Sequence, residues 1–164
     1  MDYIIKEAVS DDEKRGKAFV HYSSWNETYT GLMPQEFLDG RSLEKCLRFA
    51  FDYPQNTLVA LVEGEVVGFA NYFPESRNFV SIKPSSELVA LYVLQKYQKK
   101  GIGKALLNKC LELLPSPSVV LFVLEENQNA IDFYKKCGFS FTGHKLSQKV
   151  PGGEISELEM LLKR

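Results

Sequence analysis

The chain has 164 residues, of which 45% are apolar and 25% charged, which suits one compact domain with a sizeable core and excludes an intrinsically disordered chain. Its net charge of -1 supplies no global basic field to draw it to nucleic acid or to an anionic membrane surface. Cys46, Cys110 and Cys137 are far apart and show no CxxC spacing, which argues against a metal site or a disulfide framework and for a reducing, cytoplasmic setting. Met1 to Val9 mixes charged and apolar residues and lacks the basic start and apolar run of a secretion signal. No stretch approaches the ~18 apolar residues of a membrane span.

Tyr3 to Ala8 reads as a short strand that ends at the capping cluster Ser10-Asp11-Asp12. From Lys14 to Tyr29, Ala18, Tyr22, Trp25 and Tyr29 recur at helical spacing and predict one apolar face. Gly31 ends this helix and Pro34 starts a second, short one. A third runs from Leu43 to Tyr53, capped by Ser42 and closed before Pro54. Thr57–Val62 and Val66–Phe73 are β-rich runs joined by Glu63-Gly64-Glu65, a hairpin. A long polar connection from Pro74 to Ser86 follows. The strand Glu87 to Val93 is continuously apolar after its first residue, a pattern that predicts burial on both faces.

Gly101 to Leu114 reads as a helix stopped by Pro115-Ser-Pro117, and Ser118 to Leu124 as a strand. Asn127 or Asn129 caps a helix that runs to Cys137, with Gly138 at its end. Phe139–Val150 and Ile155–Leu162 form two further strands around Pro151-Gly-Gly153. This order of elements predicts a mixed α/β sheet rather than a strictly alternating one, in a single domain over residues 1–164.

The most informative stretch is Leu91-Tyr-Val-Leu-Gln-Lys-Tyr-Gln-Lys-Lys-Gly-Ile-Gly-Lys-Ala-Leu-Leu107, a strand followed by a glycine-bearing loop that opens a helix. A helix N-terminus has about four unpaired N–H groups and a partial positive charge, so it receives an anion readily. Gly101 and Gly103 let a phosphate approach the backbone, and Lys99, Lys100 and Lys104 add charge. A tightly packed strand-to-helix turn would explain the glycines equally well. Neither GxxxxGK[ST] nor GxGxxG is present, since Leu106 stands three residues after Gly103.

Gln98-x-x-Gly101-x-Gly103 after an apolar strand resembles the coenzyme-A motif of the GNAT family of N-acetyltransferases, [Gln/Arg]-x-x-Gly-x-[Gly/Ala]. Asn127-Gln-Asn-Ala-Ile-Asp-Phe133-Tyr134-Lys-Lys-Cys-Gly138-Phe139 resembles that family's N-x-x-A-x-x-F-Y-x-x-x-G-F segment, in the expected order. The close resemblance covers about Ser86 to Thr142. It implies an acyl-CoA N-acyltransferase fold: a mixed, mostly antiparallel central sheet of about seven strands flanked by helices. It also implies acetyl-CoA as cosubstrate.

Carried over by position, the resemblance implies that Leu91, Tyr92 and Val93 border a slot for the pantetheine arm. A backbone N–H near Val93 would face the thioester carbonyl. The amides of Gln98, Lys99, Lys100, Gly101, Ile102, Gly103 and Lys104 would hold the pyrophosphate, and Asn127 the cosubstrate's arm. Tyr134 matches a general acid for the departing thiolate. The ordinary pKa of ~8.5 for a thiol and ~10 for a phenol allow that transfer in a shared site. Glu87 matches a glutamate that deprotonates the acceptor amine in many relatives. Trp25, Asn26, Tyr29 and Tyr72 are candidates for the acceptor pocket; His21 and His144 show no ligand spacing.

The resulting expectation is acetyl transfer to a primary amine, on a small molecule, by direct attack in a ternary complex, since no cysteine is placed to carry the acyl group. Modification of a protein at its N-terminus or a lysine, and acyl-CoA binding without turnover, are the alternatives. No nucleic-acid or membrane partner is expected. The apolar strand around Leu158 to Leu162 would suit a homodimer contact.

Overall fold

The computed structural model describes residues 1–164. Thirteen segments take regular form. In chain order they are β1 (Ile4–Glu7), α1 (Asp11–Tyr29), α2 (Gln35–Asp39), α3 (Leu43–Asp52), β2 (Thr57–Val62), β3 (Glu65–Phe73), β4 (Ser86–Val93), a 3-10 turn (Gln95–Tyr97), α4 (Ile102–Leu113), β5 (Ser118–Leu124), α5 (Gln128–Lys136), β6 (Ser140–Val150) and β7 (Gly153–Lys163). The predicted elements are all present, with boundaries shifted by a few residues. Ser10 caps α1 through a reciprocal pair with Glu13, Ser42 caps α3, and Asn127 rather than Asn129 caps α5.

The strands form one sheet in the order β1-β2-β3-β4-β5-β7-β6. Every neighbouring pair is antiparallel except β4 and β5, which are parallel. One side of the sheet carries α4 and α5, whose Leu106, Leu107, Cys110, Ile131 and Tyr134 pack on Leu58, Ala70, Leu88, Leu121 and Met160. The other side carries α1, whose Val20 meets Val59 and Phe69.

Two expectations are corrected. The apolar run of β4 is buried only over Ser86, Glu87 and Leu88, and Val89 to Val93 are half-buried. The reason is that β4 pairs with β5 only at Ser86↔Val119 and Glu87↔Val120, and the two strands then separate. The C-terminal strand β7 is interior, held between β5 and β6, and Met160 is fully buried while Leu158 and Leu162 pack on the core. It therefore presents no free edge for a second copy of the chain.

A bulge in β4 sets which side chains face which side. Phe73, Asn71 and Phe69 of β3 oppose Glu87, Ala90 and Tyr92, whereas Tyr72 and Ala70 oppose Leu88 and Leu91, leaving Val89 as the extra residue. Opposed residues share a face, so Glu87 and Tyr92 lie on the α1 side and Leu88 and Leu91 on the α4 side. Without the bulge, Glu87 and Tyr92 would point to opposite sides.

Candidate active site

The separation of β4 from β5 opens a gap at the C-terminal end of β4. Leu94 donates its N–H to Val67 O at 2.9 Å. In an antiparallel ladder bonded and non-bonded pairs alternate, so the neighbouring pair Gly68↔Val93 leaves the Val93 N–H pointing away from β3 and into this gap. The Val93 carbonyl accepts from Gln98 Nε2 at 3.0 Å, which ties the following loop to the strand end.

That loop turns sharply, with Lys99 at φ 60° and Gly101 at φ 86°. Gly101 N-caps α4 without any side-chain bond. As a result, the backbone N–H groups from Lys99 to Lys104 make no hydrogen bond to the chain, and the first within the helix is Ala105 N to Gly101 O at 3.0 Å. Such a run of free donors at a helix start suits a pyrophosphate, and a bare backbone at Gly103 keeps the approach open. A Cβ on Gly103 would meet the Phe133 ring of α5 at 3.6 Å and Val93 at 3.9 Å, so α5 seals the loop from its far side. Asn127 spends its Oδ1 on Ala130 N at 3.3 Å, which leaves its amide nitrogen uncommitted. The residues fit the arm and pyrophosphate of a coenzyme-A thioester.

Tyr134 of α5 is 9% exposed, packed edge-on against Phe133 and Phe139. Its hydroxyl has no partner within the chain. Burial, followed by the proximity of Tyr92, Cys137 and Cys110, raises its pKa well above the ordinary phenol value, so the proton stays on the oxygen.

On the α1 side, Tyr29 and Tyr92 share a hydrogen bond of 3.0 Å between their hydroxyls. Trp25 stacks edge-on to Tyr29 and Phe37, at 5.0 and 5.7 Å between centroids, and the Arg41 guanidinium covers it at 4.1 Å. The tip of the β6–β7 hairpin rests on α2, so that a Cβ at Gly152 would fall 3.1 Å from Pro34. Together Trp25, Tyr29, Phe37 and Tyr92 make an aromatic wall on the α1 side of the gap. Tyr92, expected on the cosubstrate side, turns its side chain to this wall. Asn26 points back along its helix to Tyr22 O at 2.9 Å. Tyr72 does not join the wall, because the pleat of β3 sends it to the α4 side among Leu58, Leu88 and Cys110.

Glu87 is fully buried and ion-paired with Arg77. Arg77 Nε donates to both carboxylate oxygens at 3.1 and 3.0 Å, and the Arg77 backbone N–H donates at 3.1 Å. An amine or a water would have to compete with a guanidinium for those oxygens. His21 is buried against Tyr92 and Phe69, bonded to Arg41 at 3.0 Å, and burial pushes its pKa down to about 3, so it stays neutral. His144 bonds Phe79 O at 3.1 Å, away from the gap.

Two charged residues on this side of the sheet carry no mark in the sequence. Arg77 lies in the polar connection before β4, where nothing in its neighbours marks it. Glu157 lies on β7, and register places it opposite Leu124 at the end of β5, on the α1 side with Glu159 and Glu87. A groove of about 610 Å³ between Pro74–Ser76, Lys83–Ser85 and Pro115–Pro117 lies at the other, paired end of β4 and β5 and takes no part in this arrangement.

Residues 20–139 match the acetyltransferase (GNAT) family. The chain is 31% identical to a spermine/spermidine N(1)-acetyltransferase of Bacillus subtilis over 83% of its own length and 87% of that protein. It is 29% identical to a probable N-acetyltransferase of Mycobacterium tuberculosis, over 83% of this chain and 79% of that one. In fold it resembles the PaiA N-acetyltransferase of Thermoplasma acidophilum, solved in complex with coenzyme A, with a TM-score of 0.73 and 24% identity over the whole of both chains.

Proposed function

Since this chain belongs to the acetyltransferase (GNAT) family, and is an acetyl-CoA-dependent N-acetyltransferase, we propose that it acetylates a primary amine of a small molecule by direct attack with both substrates bound. The observation that carries the reading is the meeting of two walls at one gap. The free N–H groups of Lys99 to Lys104 and of Val93 line the donor side, and Trp25, Tyr29 and Tyr92 line the acceptor side. The resting of the β6–β7 tip on Pro34 favours a small acceptor over a peptide, which needs an open groove. The spermine/spermidine relative supports the same choice.

In this reading acetyl-CoA supplies an acyl group already activated as a thioester. The loop from Gln98 to Lys104 binds its pyrophosphate, Asn127 contacts its arm, and Leu91 to Val93 flank the pantetheine. The Val93 N–H is preorganised to stabilise negative charge on the carbonyl oxygen. Tyr134 gives its proton to the leaving sulfur, and burial keeps that proton in place until it is needed. The two oxygens of Glu87 are taken by Arg77, which supports a role in fixing the acceptor face rather than in carrying the amine's proton.

Thiol release from acetyl-CoA across a panel of small amines, with peptides bearing free N-termini and lysines beside it, tests the proposal. Acetylation of small amines at rates well above those for peptides is expected. Turnover with peptides alone would overturn the small-molecule assignment, and binding of acetyl-CoA with no turnover on any amine would overturn the transfer itself.

A further inference from the structure

Three carboxylates lie on the α1 side of the sheet where β4, β5 and β7 run together. Glu87 is held by Arg77. Glu159 accepts from Ser81 N at 2.9 Å, from the Ser81 hydroxyl and from Thr142 Oγ1 at 2.6 Å. Glu157 is the third, half-buried opposite Leu124 at the mouth of the gap, and it makes no hydrogen bond or ion pair with the chain. Of the three, Glu157 alone keeps both carboxylate oxygens uncommitted and open to a ligand at the gap. By register it shares the α1 face, at the separated end of β4 and β5, with Tyr92, whose hydroxyl is bonded to that of Tyr29 on the acceptor side.

We infer that Glu157 takes the proton from the acceptor, which arrives as an alkylammonium and is seated between the Glu157 carboxylate and the Tyr29–Tyr92 pair. This rests on the proposed function, and it names both a catalytic residue and a substrate class: amines that are cations in water. A free alkylamine has a pKa near ~10.4, so at neutral pH nearly all of it is protonated and unable to attack. The proton passes from the ammonium to Glu157. The freed nitrogen lone pair then forms the N–C bond to the acetyl carbon while the C–S bond breaks, and the sulfur takes a proton from Tyr134. The proton lost from the acylated nitrogen restores the Tyr134 hydroxyl, and Glu157 returns its own to solvent.

The surroundings suit the task. The titratable groups that share the Glu157 side of the sheet and act on it or feel its charge are Arg77 from the loop before β4, Glu87 and Tyr92 from β4, and Tyr29 from α1. Burial holds the Glu157 carboxyl above its ordinary pKa, Arg77 draws it back and Glu87 pushes it up, so it is a better proton acceptor than a solvated glutamate.

The test compares wild type with Glu157→Gln on two acceptors: the best primary alkylamine, and methoxyamine, whose nitrogen is neutral at assay pH. The variant is expected to lose about 10²-fold or more in kcat/KM for the alkylamine, the span of a general base, and to stay within several-fold for methoxyamine. Alkylamine turnover by the variant is also expected to recover as pH approaches ~10.4. Unchanged alkylamine turnover, or an equal loss on both acceptors, would overturn the inference while leaving the proposed function in place. A wild-type protein that acetylates neither acceptor would instead overturn the reading on which it rests.

Discussion

The hydroxyl of Tyr29, on the last turn of α1, lies 3.0 Å from the hydroxyl of Tyr92, on β4 where it parts from β5. This bond joins α1 to β4 across the proposed acceptor side, and burial raises the pKa of both phenols, so both remain neutral. Tyr29→Phe removes the bond and leaves the ring. A buried hydrogen bond is worth about 1 kcal/mol, so the acceptor kcat/KM is expected to fall roughly 5-fold. The KM for acetyl-CoA should stay within about 2-fold, as steady-state kinetics with each substrate varied will show.

Tyr134→Phe keeps the packing on Phe133 and Phe139 and removes only the proton donor. The expected result is a kcat lower by about 10²-fold with acetyl-CoA affinity little changed. Calorimetric titration beside single-turnover rates separates the two. Wild-type turnover in this variant would remove Tyr134 from the reaction.

Gly101 and Gly103 differ in what they require. Gly101 has φ 86°, a conformation costing an ordinary residue roughly 1–2 kcal/mol, so Gly101→Ala should lower stability and weaken acetyl-CoA binding together. Gly103 is helical, and a Cβ there makes ordinary contact with Phe133, so Gly103→Ala should keep or gain up to about 1 kcal/mol. Thermal melts of the two variants with and without acetyl-CoA check both halves.

Lys17 is 2% exposed and has no hydrogen-bond partner, with the Phe49 and Phe69 rings 4.9 and 4.8 Å from its nitrogen. Burial pushes its pKa from 10.5 down to about 8. The unfolded chain therefore binds the proton more tightly, and stability rises as pH increases from about 8 to 10.5, by about 1.4 kcal/mol per unit of pKa difference at most. Part of the penalty is already offset by the two rings. Lys17→Met should thus stabilise the protein by about 1–3 kcal/mol at pH 7, with the gain vanishing near pH 10.5. Urea denaturation of both forms at the two pH values measures it.

Local signals made most of the fold legible. Ser10, Ser42 and Asn127 announce their helices, Glu63-Gly64-Glu65 its hairpin, and Gln98 to Gly103 the loop that opens α4. What stayed hidden depends on non-local geometry. The apolar run Leu88 to Val93 carries no mark of the strand separation that half-exposes its end. The helix face read from Ala18, Tyr22, Trp25 and Tyr29 omits Lys17, His21 and Ser24, whose burial depends on α3 and β3 packing around them. The motifs and positions of Tyr72 and Tyr92 suggest the acceptor pocket for Tyr72 and the cosubstrate side for Tyr92, and the pleat of β3 with the bulge at Val89 places their side chains the other way round. Glu157 reads in sequence like any solvated strand carboxylate until β7 is seen to lie inside the sheet.

The central claim is that the acetyl group passes in one step across the gap between β4 and β5, from thioester to amine. Initial velocities with acetyl-CoA and the best small amine varied together test it most directly, with the product identified by mass spectrometry. Intersecting double-reciprocal lines and a single acetyl on the amine nitrogen are predicted. Parallel lines, with acetyl-CoA alone leaving an acetylated protein that then acetylates the amine, would contradict the account.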